Sequence, residues 1–338
     1  MGSPASTYPA SILTNYISKQ GAVCVTGANG FIGSWLVQTL LTTGYTTIQA
    51  TIYPGSDPSH LFTLQAASKA NLKVFEADIL DDVAVSRAVE GCTGVFPRGI
   101  SLYLGRSQDP QKELVCLLYK VLLMCWSLLK VQGEACVVLT SSISALVPNP
   151  GWPRDKVFNE TSWTDLDYCK SPGILTDWVT VSLIDLGLKL YLAEKAAWEF
   201  AEKNGIDVVA IHPATCLGPL LQPYLNVSCA VLQQLLQGSK ILKSTLVGSC
   251  ACQDVAKAQY LCTNGIYQFG EFAEVSKLFP KFPVHRFNGE TQPGLFLCKC
   301  SQEINELGLV FTPVEDAVSE TLESLKAKGC LVQKMSHS

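Results

Sequence analysis

Apolar positions along the chain follow two alternating rhythms. Residues 21–26 (GAVCVT) are a short apolar, β-branched run, as expected of a parallel strand buried on both faces. Residues 31–43 then set Phe31, Ile32, Trp35, Leu36, Leu40 and Leu41 along a helical stripe, which Gly44 stops. Strand-like runs return at 46–52, at 72–76, from 94 to 96, at 135–140 (ACVVLT) and at 206–211 (IDVVAI). Helical segments lie between them, one at 81–90 and a strong helix former at 193–203 (AEKAAWEFAEK) that ends on Asn204-Gly205. Strands alternating with helices imply right-handed crossovers and an α/β doubly wound parallel sheet. After Pro213 the elements shorten and Pro and Gly become denser. The expected organisation is a disordered leader (1–20), a sheet domain (20–213), a smaller lobe over the sheet's carboxyl edge (214–330) and a flexible tail (331–338).

Composition narrows the function. Of 338 residues, 48% are hydrophobic and 16% charged, with a net charge of −4. A sizeable core is affordable, and nucleic acid is excluded as a partner for lack of a basic run. The 14 cysteines are scattered from Cys24 to Cys330. In a chain this long without a signal peptide, that scatter reads as reduced thiols in a cytoplasmic protein. Cys250/Cys252 and Cys298/Cys300 are spaced too tightly for an ordinary zinc knuckle, so no metal is expected. The apolar run from Leu114 to Leu129 is short for a membrane span. It also carries Lys120 near its middle, which would cost ~3 kcal/mol in a bilayer. A buried helix is expected there, and no membrane partner.

The most informative chemistry is Thr26-Gly27-Ala28-Asn29-Gly30-Phe31-Ile32-Gly33. This G-x-x-G-x-x-G segment follows a predicted strand and opens a predicted helix. Gly27 is expected to permit the tight turn, Gly30 to let the backbone approach a pyrophosphate, and Gly33 to let the helix pack against the strand. The helix N-terminus adds N–H groups and a positive dipole end. A Rossmann-type dinucleotide site results, with Asn29, Phe31 and Ile32 in the same loop. Asp78-Ile79, after the third strand, is where a carboxylate can accept from an adenine amine with an apolar neighbour against the ring. The alternative role for Asp78 is an N-cap of the next helix.

With these residues, the chain resembles the extended short-chain dehydrogenases/reductases, and within them the plant cinnamoyl-CoA reductase and dihydroflavonol 4-reductase group. The resemblance rests on residues 25–36 (VTGANGFIGSWL), 78–81 (DILD), 91–96 (GCTGVF), 139–143 (LTSSI), 163–166 (WTDL), 192–198 (LAEKAAW), 212–219 (HPATCLGP) and 307–313 (LGLVFTP). It implies an NADP(H)-dependent oxidoreductase, with NAD(H) as second candidate. Its substrate would be a carbonyl or CoA thioester of a phenolic small molecule, and the protein a monomer or homodimer. It implies further that Thr140 and Pro213 line the cofactor. A Ser hydroxyl, here Ser142, would hold the carbonyl oxygen, and a Tyr-x-x-x-Lys pair would deliver the proton, the Lys lowering the Tyr pKa and binding the ribose. Ser142 could equally be a cap at the end of the fifth strand.

The Tyr–Lys pair is displaced. Counting back from 192–195 (LAEK), the family's positions fall on Leu186 and Leu190. A local pair, Tyr191 and Lys195, lies five residues later, which turns a helix by roughly 140°. Tyr191 is therefore expected to point away from the nicotinamide unless the helix slides. The family also places an Arg after the second strand to meet the 2′-phosphate of NADP. Tyr53 stands there, and no Lys or Arg occurs between it and Gln65. Ser56 and loop N–H groups are the remaining candidates to hold that phosphate, so a weakened NADP(H) preference is expected. Stretches 97–136, 172–191 and 240–253 depart together from the family pattern. This leaves a second reading, a catalytically impaired dinucleotide-binding protein from a frameshifted or mis-spliced reductase gene.

Overall fold

The computed structural model describes residues 21–68, 71–97, 136–147, 149–153, 156, 159, 161–170, 178–237, 246–255, 261–262, 265–268 and 311–331. For residues 169–170, 178–189, 246–250, 261–262 and 265–268, only the backbone is described. The leader, the 114–129 run and the tail beyond Leu331 lie outside these residues.

The strands are β1 (Ala22–Val25), β2 (Thr47–Ile52), β3 (Leu72–Glu76), β4 (Cys92–Phe96), β5 (Cys136–Thr140), β6 (Asp207–Pro213), β7 (Thr215–Leu217), β8 (Leu246–Ala251), β9 (Leu261–Cys262) and β10 (Gly265–Gln268). The helices are α1 (Phe31–Thr42), α2 (Asp82–Val89), α3 (Leu166–Lys170), α4 (Trp178–Asn204), α5 (Val227–Leu236), α6 (Cys252–Val255) and α7 (Val314–Ala327). Seven strands form one sheet in the order β3-β2-β1-β4-β5-β6-β9, all parallel. The order reverses between β1 and β4. The crevice beyond the carboxyl ends of these two strands is the place where doubly wound sheets take their ligands.

The predicted strands sit where the apolar runs put them. Val23, Cys24, Val25, Ile48 and Val95 are fully buried, because helices cover both faces of a parallel sheet. The fourth strand begins at Cys92 rather than Gly94: Gly91, at φ +73°, turns the chain sharply after α2. The largest correction concerns α4. It starts at Trp178, well before the expected Ala193. Val179, Val181 and Gly187 are weak helix formers, but propensity differences of up to ~1 kcal/mol per residue are readily overridden by packing.

Beyond Pro213 lies a second sheet of order β10-β8-β7, with β7 parallel and β10 antiparallel to β8. One buried cluster runs from Val23, Val37 and Ile48 to Leu217, Leu232 and Leu322. The later elements therefore share a core with β1, α1 and β2. Backbone N–H groups of Gly218 and Leu220 donate to the hydroxyls of Thr321 and Ser324 on α7 at 2.6 and 2.8 Å.

Candidate active site

The loop between β1 and α1 is held by the strands on either side of β1. Thr26 N–H donates to Phe96 O on β4 at 3.1 Å, and Ala28 N–H to Thr51 O on β2 at 2.9 Å. Gly27 takes φ +57°, the left-handed conformation that glycine adopts without penalty. Gly30 is the N-cap of α1 and has no side chain to cap it. The first-turn N–H groups, which no helix satisfies internally, therefore have no side-chain cap. Gly33 does a different job from the one expected. A Cβ there would lie 2.3 Å from Gly27 O and 2.9 Å from Ala28 Cα, so its bareness closes α1 onto the loop itself. This uncapped cradle suits a pyrophosphate.

The buried Ser34 hydroxyl stiffens the loop from beneath, donating to Ala28 O at 3.2 Å. With its proton so used, it accepts from His60 Nε2, 2.9 Å away. Burial lowers the His60 pKa; Asp57 raises it and Lys328 lowers it further.

Asp78 does not cap α2. That bond belongs to Asp81, which accepts from Val83 and Ala84 N–H, while Asp78 accepts from Leu80 N–H at 3.0 Å. Asp78 and Ile79, both half-buried, thus stay beside the end of β3. At the end of β2, Tyr53 is 65% exposed. The N–H groups expected to serve a 2′-phosphate are already engaged, Gly55 with Glu76 Oε2 at 3.3 Å and Ser56 with Tyr53 O at 3.0 Å.

Thr140 and Ser142 stand at the carboxyl end of β5, and Pro213 at that of β6. Ser142 fills the capping role considered for it. It accepts from Ser144 N–H at 3.2 Å as a cap, and its Oγ lies 3.4 Å from Pro213 O. On α4, Lys195 Nζ is 3.4 Å from the Tyr191 hydroxyl. Tyr191 meets Trp163 edge-on at 5.3 Å, and Lys195 is exposed. Leu190 is fully turned inward, buried in a cluster with Val137, Leu139 and Ala145, and Tyr191 packs half-buried against the same cluster. Among the described residues no hydrogen bond joins Ser142 to Tyr191.

Sequence reasoning missed the pair that sets the height of α4. Glu194 and His212, each 2% exposed, are 2.8 Å apart, and the Trp198 indole donates to Glu194 at 3.3 Å. Burial pushes the Glu194 carboxyl up, but the charge and hydrogen bonds of His212, with smaller help from Ser141 and Trp198, hold it below its ordinary value. Because its folded pKa is depressed, Glu194 contributes stability above the unfolded value near ~4.3, and that stability is lost as pH falls through the folded value. Glu194→Ala, which takes the carboxylate away from buried His212, is expected to cost about 3–5 kcal/mol. Urea unfolding at neutral pH checks the size. The difference between variant and wild type should shrink below pH ~4.

Residues 23–161 match the NAD dependent epimerase/dehydratase family. Cinnamoyl-CoA reductase CAD2 of Medicago truncatula is 38% identical over 326 residues, covering 90% of this chain and 96% of that protein. The chain belongs to this family. Within it, the extended short-chain reductases, it is an NAD(P)-dependent oxidoreductase. Cinnamoyl-CoA reductase 1 of Petunia hybrida is 34% identical, over 91% of this chain and 93% of its own length. Vestitone reductase from alfalfa superposes with a TM-score of 0.74 at 28% identity, covering 92% of this chain and 100% of that one. Such coverage of reductases favours the reductase over the impaired binding protein. No helix among the described residues is long and apolar enough to cross a membrane.

Proposed function

We propose that the chain reduces a carbonyl or CoA thioester of a phenolic small molecule with NADP(H). The reading rests on the uncapped glycine cradle at the β1/β4 reversal, together with the kinship to cinnamoyl-CoA reductases. First-turn N–H groups of α1 hold the pyrophosphate, and Asp78 with Ile79 receives the adenine. Thr140 and Pro213 flank the nicotinamide end. The bound cofactor supplies a hydride to the carbonyl carbon. Ser142 donates to the carbonyl oxygen, and a proton completes the alcohol; from a thioester, loss of the thiol leaves the aldehyde. Residues 214–330 form the substrate lobe.

Proton delivery is the slow element. Tyr191, with Lys195 beside it, is the acid at hand, but it lies one position, ~100° of helix, round from the inward Leu190. Turnover is expected to be low, and Tyr191→Phe to change it little. The test is purified chain with NADPH and cinnamoyl-CoA, following cofactor oxidation and aldehyde by chromatography. Absence of NADPH binding in a direct titration would overturn the reading.

Cofactor choice gives a separate expectation. Tyr53 offers no charge to a 2′-phosphate, and Glu76 stands close by, so discrimination between NADPH and NADH is expected to be small. Tyr53→Arg, which restores a guanidinium to pair with the phosphate, is expected to raise the NADPH-to-NADH affinity ratio at least about tenfold. Calorimetric titration with both cofactors reads it; an unchanged ratio would place the 2′-phosphate elsewhere.

A further inference from the structure

The segment from Gly218 to Tyr224 lies across the first turns of α1 and is fastened at both ends. On one side α7 holds it, through Thr321 to Gly218 N and Ser324 to Leu220 N. On the other, the Trp35 indole on α1 donates to Pro219 O at 2.9 Å. The Tyr224 hydroxyl then donates to Asn29 O, in the middle of the glycine loop, at 2.6 Å. Gln222, fully buried, donates to Tyr224 O at 3.0 Å and so fixes the backbone from which the tyrosine reaches. The Tyr224 ring itself is 47% exposed.

A phosphate loop works by turning N–H groups toward the anion and carbonyls away from it. The Asn29 carbonyl is captured by a side chain from beyond residue 213. Capture does two things. It fixes the 29–30 peptide plane, so the loop is arranged before the cofactor arrives. It also engages the partial negative charge of the Asn29 oxygen with the hydroxyl hydrogen, so that this lone pair is less exposed to an incoming anion. We infer that Tyr224 is a cofactor-positioning residue, the tip of a strap from the C-terminal lobe that holds the pyrophosphate loop in its binding shape. The inference rests on the cofactor reading above.

Tyr224→Phe keeps the ring and removes only the hydroxyl. Fluorescence titration is expected to show NADPH and NADH both binding more weakly, by about three- to tenfold, the range of one lost hydrogen bond. The loss is equal for the two because they share the pyrophosphate. The probe 2′-AMP, which has no pyrophosphate, is expected to bind wild type and variant alike by calorimetry. Unchanged or tighter NADPH binding in Tyr224→Phe would overturn the strap. So would an equal loss with 2′-AMP, which would mark general damage to the site. If wild type fails to bind NADPH, the cofactor reading falls and this inference with it; if wild type binds and the variant matches it, only the strap falls.

Discussion

Gly30→Val is expected to abolish cofactor binding, weakening NADPH by about a hundredfold or more, while far-UV circular dichroism stays that of the wild type. The backbone of Gly30 is at φ −75° and ψ 171°, which a branched residue adopts freely. Among the described residues, a Cβ there would meet only Gly27 O, at 3.2 Å, a contact that a small shift relieves. The fold therefore tolerates the change. The rest of the valine side chain enters the space beside the first-turn N–H groups and excludes the pyrophosphate. Gly33→Ala makes the contrast, since its Cβ would be 2.3 Å from a backbone oxygen and the loop could not keep its shape. It is expected to lower the melting temperature as well as the affinity. Wild-type affinity in Gly30→Val would refute the assignment of the loop.

The double substitution Leu186→Tyr/Leu190→Lys is expected to raise turnover by about 10²–10⁴, the usual worth of a positioned proton donor. The two positions share one helical face at i, i+4, and both lie on α4. Leu190 is 4% exposed and packs with Leu139 at the sheet. A lysine there would aim toward the carboxyl end of β5, where Ser142 stands. Its charge is desolvated without cofactor, so the variant is expected to be less stable alone and to recover stability with NADPH. Tyr191→Phe is the companion measurement. Robust wild-type turnover that Tyr191→Phe destroys would make Tyr191 the acid and show that the helix register places it correctly.

What the amino-acid order alone determined is what depends on near neighbours. Strands of a buried parallel sheet are rich in apolar and β-branched residues, so residues 22–25, 47–52 and 136–140 announced the sheet, even though 47–52 carries Gln49 within it. A turn that needs a left-handed residue, followed by a helix that admits no Cβ at its base, requires glycines at set spacing, so the 26–33 loop was legible too. Asp78 was placed at the right strand end, although its competing role as a cap belonged to Asp81.

Only the tertiary structure decided which distant groups meet. Glu194 and His212 are 18 residues apart, Ser34 and His60 are 26, and Asn29 and Tyr224 are 195; no local pattern records such a pairing. The start of α4 at Trp178 likewise escaped the sequence, because the weak propensity of Val179, Val181 and Gly187 argued against a helix there. The direction of α4's side chains from Leu190 onward followed from packing. Leu190 is buried at the sheet, and Tyr191 is half-buried at the edge of the same cluster and against Trp163, since a helix in contact with a core orients itself by burying its apolar side chains. Periodicity lists which residues share a face, but the folded neighbours choose which face looks at the cofactor.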